Sequence, residues 1–229
     1  MDGEIRAGSH GAAEAGGARA GNGAERNNRY AESAASKADT SEKSPFGCGS
    51  REGPHFSTQD EIDAWVDEVA PKWLAELTHE ETQAIRKYTG DYYETVNRAL
   101  RDFNPTDEII EFTEKVAGAL SKFSLAESIV VWRGLEVNIF GTDDPKQLIG
   151  SEYDDPGFFS TSLLRETAFK GQVLMIVHLP AGSAGAPITY MSQIPGENEF
   201  LLPPGVHYVI LDAWKEKDIL IVVVEVVDE

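Results

Sequence analysis

The hydrophobic period of this chain changes at Ser128. Before it, apolar residues recur at helical spacing; after it, they come in short β-rich runs broken by Gly, Pro and Asp. Upstream, Ile62, Trp65, Val66, Val69, Trp73, Leu74 and Leu77 predict a helix over 56–77, opened by a capping box in which Glu61 follows Thr58 by three residues. Pro71 is expected to bend or break it. A second box, Thr78 with Glu81, opens a helix toward Tyr88, and Thr89-Gly90-Asp91 reads as a turn. The next helix, Tyr92 to Phe103, is stopped by Asn104-Pro105. Thr106 then caps a helix to about Ser121, with Ile109, Ile110, Phe112, Val116, Ala117 and Leu120 inward. Downstream, strands are predicted at Ser128–Arg133, Gly157–Thr161, Gln172–Leu179, Glu199–Leu202, His207–Ala213 and Ile219–Val227. Helices followed by strands predict an α+β fold, with the helices packed on a mixed, mostly antiparallel two-sheet core.

Residues 1–55 lack this patterning. Ala, Gly, Ser, Asn and Glu dominate, and larger aliphatics are nearly absent. Such a segment cannot bury enough surface to offset its ordering entropy, so it reads as a disordered low-complexity tail ahead of one folded domain over 56–229. Nearly all of the net charge of -19 falls on that domain. It should repel nucleic acid and anionic membranes, and it can attract a basic protein surface. The single cysteine, Cys48, permits no intrachain disulfide. No apolar run is long enough for a membrane span, and no apolar h-region marks a conventional secretory signal. No Cys/His cluster has metal spacing, and no Gly-rich dinucleotide fingerprint is present.

Three stretches carry chemistry. Ile129-Val130-Val131-Trp132-Arg133-Gly134 is an apolar strand ending in Arg and Gly. A guanidinium there is partly buried and needs an anion, either a bound phosphate or an internal carboxylate. Gly157-Phe158-Phe159-Ser160-Thr161-Ser162 places Ser160 and Ser162 on one strand face, which is also ordinary polar β texture. Gly196-Glu197-Asn198-Glu199-Phe200-Leu201-Leu202 sets two carboxylates at the mouth of an apolar run. If 198–202 begins a strand, Glu197 and Glu199 project to the same side and their proton affinities are coupled. The alternative is two solvated glutamates on a turn.

In this order and spacing, the stretches resemble the Arg / Ser-Thr-Ser / Glu-x-Glu class of mono-ADP-ribosyltransferases. More narrowly, the chain is similar to the bacterial ADP-ribosylating exoenzyme toxins, including the enzymatic components of actin-modifying binary toxins. The resemblance covers about residues 58–229. It implies a β-sandwich with an NAD cleft between its sheets, NAD as substrate, and no metal. Within Tyr88-Thr89-Gly90-Asp91-Tyr92-Tyr93-Glu94-Thr95-Val96-Asn97-Arg98-Ala99-Leu100-Arg101, the match implies that Tyr88, Tyr93 and Asn97 approach the dinucleotide. It assigns phosphate to Arg133, the nicotinamide carboxamide to main-chain groups at Gly134, and a hydrogen bond from Ser160 to the catalytic Glu199. Arg165, just after Ser-Thr-Ser, is either a phosphate contact or a surface arginine. Glutamate at Glu197 implies an arginine acceptor on a target protein, possibly actin.

Other readings stay open at this stage: an NAD glycohydrolase, another acceptor, or a catalytically silent module on the same scaffold. Three residues before Glu197 the resemblance calls for an aromatic that reads the protein substrate; this chain has Ile194, and its nearest aromatic is Tyr190. The family implies secretion or translocation into a host cell, with a separate delivery component as one route. His178 and His207 read as core or strand-end residues.

Overall fold

The computed structural model describes residues 55–227. The reading of 1–55 as a disordered tail falls almost wholly outside these residues.

Four helices come first. Helix α1 (Gln59–Glu76) begins where the Thr58 side chain accepts from the Glu61 amide at 3.3 Å and the Glu61 carboxylate accepts from the Thr58 amide at 3.2 Å. It buries Ile62, Val66, Ala70 and Trp73. Pro71 does not break it: the helix runs through this exposed residue from Gln59 to Glu76. Thr78 and Glu81 cap α2 (His79–Lys87) in the same way. The expected turn at Gly90 is a π-helical turn over Tyr88–Tyr92, kinked where Gly90 adopts φ -87, ψ -141. It leads into α3 (Tyr93–Arg101), and Thr106 caps α4 (Asp107–Leu120). Ile110, expected inward, is exposed instead; Ile109, Val116, Ala119 and Leu120 form the buried stripe. Among the described residues no helix is long and apolar enough to cross a membrane.

The second half supplies β1 (Ile129–Leu135), a short α5 (Pro145–Leu148), β2 (Glu152–Asp155), β3 (Phe159–Ser162), β4 (Val173–Leu179), β5 (Ala186–Pro187), β6 (Glu199–Leu202), β7 (Val206–Glu216) and β8 (Ile219–Val226). All the predicted strands form. β2 and β5 are additional, and neither carries an apolar alternation that could announce it. The strands join in one eight-stranded sheet, in the order β2-β7-β8-β4-β1-β3-β6-β5. It is mixed and mostly antiparallel as expected, with β4 and β8 the parallel pair. Two separate sheets do not form. The ladder is continuous, but between β1 and β3 it narrows to the single pair Trp132↔Ser162. The long five-strand part and the short β3-β6-β5 part therefore diverge at one seam.

Side-chain alternation assigns the faces. Ile129 and Val131 on β1 enter the main core with the helices, whereas Val130 and Trp132 join a small cluster on the opposite face with Ile176, Ile221 and Val223. Arg133 shares the parity of Ile129 and Val131, so the chain delivers its guanidinium to the buried side at the seam.

Candidate active site

A cleft of about 550 Å³ opens at that seam. The π-turn and α3 supply one wall, the end of β1 and the start of β3 the floor, and the segment before β6 the rim.

Its acidic end is built on β3 and β6. Ser162 pairs directly with Glu199, so Ser160, Ser162 and Glu199 share a face and Ser160 stands diagonal to the carboxylate. The Ser160 hydroxyl donates to Glu199 Oε1 at 2.6 Å. Glu199 is only 6% exposed. Its carboxyl is pushed up to about 7, chiefly by burial; Ser160 lowers it, the negative Glu197 raises it, and Arg133 lowers it. Glu197 also lines the cleft, but not by strand alternation. It ends a 3-10 turn (Pro195–Glu197), and Asn198, in the left-handed region at φ 50, ψ 46, connects that turn to β6. The two carboxylates thus meet the same space through a turn and a strand.

The cationic end is built on β1 and α3. Arg133 donates from one terminal nitrogen to the Ser160 carbonyl at 2.7 Å, bridging the seam, and from the other to Asp155 Oδ2 at 3.3 Å. Its guanidinium lies 4.3 Å from the centroid of the Phe159 ring. Burial lowers its proton affinity and Asp155 opposes this. Its Nε is buried without a hydrogen-bond partner among the described residues. Arg101, on the last turn of α3, forms a two-point pair with Asp155 at 2.9 and 3.1 Å. Asp155 Oδ1 also accepts from the Gly157 amide at 2.9 Å. One carboxylate therefore holds two guanidiniums at one wall.

The aromatic wall is tied to the same region. Asn97 donates to the Tyr88 hydroxyl at 3.0 Å and accepts from the Phe158 amide at 2.9 Å, which pins α3 to the start of β3. Tyr88 is buried, and burial followed by the charge of Glu199 raises its hydroxyl above the usual range. Tyr93 lines the cleft, half-buried, with its hydroxyl 3.3 Å from Glu94.

Gly134 lines the cleft as well, and a side chain there is excluded. A Cβ would stand 1.6 Å from the Phe169 carbonyl oxygen, because the segment after Ser-Thr-Ser folds back over the end of β1. Arg165, on that segment, does not line the cleft. It is exposed, 3.8 Å from Glu216 and near the Trp132 ring. Ile194 stands at the rim, 38% exposed, whereas Tyr190 turns away to donate its hydroxyl to Asp67 on α1. His207 lies outside the cleft, between Asp154 and Glu152. Among the described residues no three His, Cys, Asp or Glu are placed to hold a metal ion.

The structure thus brings Arg133, Gly134, Ser160, Glu197, Glu199, Tyr88, Tyr93 and Asn97 to one cleft and leaves Arg165 outside it. Sequence reasoning missed Asp155 and Arg101. Arg101 carried a signal, since it follows Asn97 by four residues and shares its helix face. Asp155 carried none: within Asp154-Asp155-Pro156-Gly157 it reads as turn chemistry.

A cleft with arginines at one end and a buried, serine-bonded glutamate at the other can hold an anionic ligand while stabilising a cation. Several known proteins are similar to this chain. A curated relative, NAD(+)--arginine ADP-ribosyltransferase EFV of Enterococcus faecalis, is 28% identical over 159 residues, covering 63% of this chain; the chain spans 31% of that relative's length. The solved structure of Plx2a, an ADP-ribosyltransferase toxin from Paenibacillus larvae, superposes with a TM-score of 0.68 at 25% identity, covering 74% of this chain and 96% of that one. C3stau2 from S. aureus, solved with NAD, shares the fold with a TM-score of 0.70 at 20% identity, covering 78% of this chain and all (100%) of that one. The family model for the ADP-ribosyltransferase exoenzyme matches residues 62–227, a span that contains the seam, both arginines and both glutamates, and the chain belongs to that family.

Proposed function

We propose that this chain transfers ADP-ribose from NAD to an arginine side chain of a target protein, releasing nicotinamide, and that it serves as a bacterial toxin or effector. The catalytic unit in this reading is residues 56–229. NAD is the substrate of this family. The observation that carries the reading is the pair of carboxylates at one end of the cleft, with Glu199 buried against Ser160 at 2.6 Å and Glu197 on the turn beside it. The curated relative whose name specifies arginine supports the acceptor.

The chemistry assigns each group a role. The bond between nicotinamide nitrogen and the ribose anomeric carbon breaks, its electron pair leaves with neutral nicotinamide, and positive charge builds on the ribose. Ionised Glu199 stabilises that charge and accepts from the ribose 2'-hydroxyl, a preorganised effect worth on the order of 10²- to 10³-fold. Ser160 holds its carboxylate in place. Arg133 and Arg101 face the diphosphate, and Tyr88, Tyr93 and Asn97 shape the wall. A guanidine nitrogen of the acceptor bonds to the anomeric carbon and loses a proton to Glu197 as the ribose charge is neutralised. The strongly acidic chain favours a basic surface around that arginine.

The test is nicotinamide release by the purified chain, with and without agmatine as an arginine mimic. Wild type should form the agmatine adduct. Glu199→Ala should lose all turnover, and Glu197→Ala should keep NAD cleavage while losing transfer. A wild type that cleaves NAD but never modifies agmatine would remove the arginine reading; one that does not cleave NAD would remove the enzyme reading.

A further inference from the structure

The two glutamates are held by different means. Glu199 sits inside the ladder, its main chain opposite Ser162 and its carbonyl accepting from the Ile188 amide at 3.0 Å. Glu197 lies outside the sheet, and its position relative to Glu199 is set by the one residue between them. Asn198 is left-handed, a conformation that asparagine tolerates better than most residues but that alone defines no unique orientation.

One of the contacts that hold this turn comes from 139 residues away. Gln59, the first residue of α1, forms a reciprocal amide pair with Asn198. Its Nε2 donates to Asn198 Oδ1 at 3.0 Å, and Asn198 Nδ2 donates to Gln59 Oε1 at 2.9 Å. Asn198 is 1% exposed, so this pair satisfies an amide with little access to water. Gln59 is itself oriented by a bond from Nε2 to Asp63 Oδ1 at 2.8 Å, one turn along α1. The turn is anchored from the sheet side as well: Ser162 Oγ donates to the Glu197 carbonyl at 2.9 Å and the Leu163 amide to the Asn198 carbonyl at 2.9 Å. The sheet-side bonds hold the main chain, and the amide pair holds the Asn198 side chain.

We infer that Gln59 is a positioning residue for the acceptor step: through Asn198 it fixes where the Glu197 carboxylate stands relative to Glu199. It touches neither NAD nor acceptor. The inference rests on the arginine-transfer reading above, because it concerns the carboxylate that takes the acceptor's proton. Its consequence is selective. NAD cleavage depends on Glu199, which the ladder and Ser160 hold without Gln59. Transfer depends on Glu197 reaching the guanidine, and a displacement of about 1 Å in such a group costs on the order of 10- to 100-fold.

The experiment measures nicotinamide release and agmatine adduct together, in the full chain, for wild type, Gln59→Ala, Asn198→Gly and the double variant. Gly keeps the left-handed backbone accessible while deleting the amide. In Gln59→Ala, adduct formation should fall about 10-fold while release without agmatine stays within about twofold. Asn198→Gly should behave alike, and the double variant should be no worse than either single, since all three remove one pair. The inference is overturned if Gln59→Ala leaves the adduct-to-nicotinamide ratio unchanged, if release and transfer fall together, or if the two single effects multiply. Wild type separates the two levels. Its failure to modify agmatine removes the arginine reading and this one with it, whereas wild-type transfer with an unchanged ratio in Gln59→Ala removes this one alone.

Discussion

The proton on Glu199 should set the acid limb of the pH–rate profile. Burial lifts this carboxyl to about 7, with the charge of Glu197 adding to the rise and Ser160 and Arg133 opposing it. Only the ionised form can stabilise a ribose cation. With an apparent value near 7, about one tenth of the enzyme is ionised at pH 6 and about nine tenths at pH 8, so kcat/KM for NAD should rise about tenfold between them. Glu197→Gln supplies the sign. It removes a neighbouring negative charge at nearly constant size, so the limb should move to lower pH. Because burial is the largest cause, it should stay above the ordinary carboxylate value of 4.5. The assay is initial nicotinamide release at NAD well below KM, without acceptor, across a pH series from about 5 to 9, since kcat/KM reports the free enzyme. A profile flat through that range, or a limb that Glu197→Gln moves upward, would refute the assignment.

Four further outcomes follow from the same geometry. Ser160→Ala deletes the bond that lowers the Glu199 carboxyl, so the acid limb should shift to higher pH and nicotinamide release at neutral pH should fall about tenfold, in line with loss of one preorganising group. Asp155→Asn leaves Arg101 and Arg133 facing each other around a neutral amide, and urea unfolding should show a loss of about 3 kcal/mol, the scale for removing one partner of a buried ion pair. Gly134→Ala drives a Cβ to 1.6 Å from the Phe169 carbonyl, so the segment over β1 must move, and urea midpoints should report about 1–3 kcal/mol of destabilisation. Glu199→Gln should stabilise: the folded carboxyl is raised to about 7 from 4.5, so wild type loses stability as pH rises through that interval. The variant should therefore gain up to about 3 kcal/mol at pH 8 and nothing below the unfolded value, read by thermal melts at both pH values.

How legible this was depends on how local each signal is. The capping boxes at Thr58 and Thr78 and the Thr106 cap are four-residue patterns, and each helix starts where its pattern places it. The strands with apolar runs were equally readable. β2, with the sequence Glu-Tyr-Asp-Asp, was not, because its place comes from pairing with β7 and not from its own propensity. The single sheet was not legible either: whether β1 and β3 share one pair or none is decided by tertiary geometry. At the site, Arg133, Ser160, Glu197 and Glu199 stand out by residue type and order. Asp155 and Gln59 do not, since each acts on a group 22 or more positions away in the chain. The face shared by Glu197 and Glu199 was anticipated through strand alternation, but the chain achieves it through a left-handed Asn198.

The location of the cleft follows from the incompleteness of the sheet. Had β1 and β3 zipped along their whole length, main-chain pairing would fill the space beyond Trp132 and Ser162, and Arg133 would have no access to it. With a single pair, a guanidinium takes over the role of the missing ladder, donating across the gap to the Ser160 carbonyl. That substitution brings a positive charge into a buried place where a backbone amide would have brought none. Asp155 at the end of β2 meets that charge in part, since the same carboxylate also holds Arg101. Ser160 links both ends: its carbonyl accepts from Arg133 while its hydroxyl donates to Glu199. One strand residue thereby ties the cationic end of the cleft to the acidic end. In the reading proposed above, the diphosphate of NAD faces the arginine end and its ribose the glutamate end.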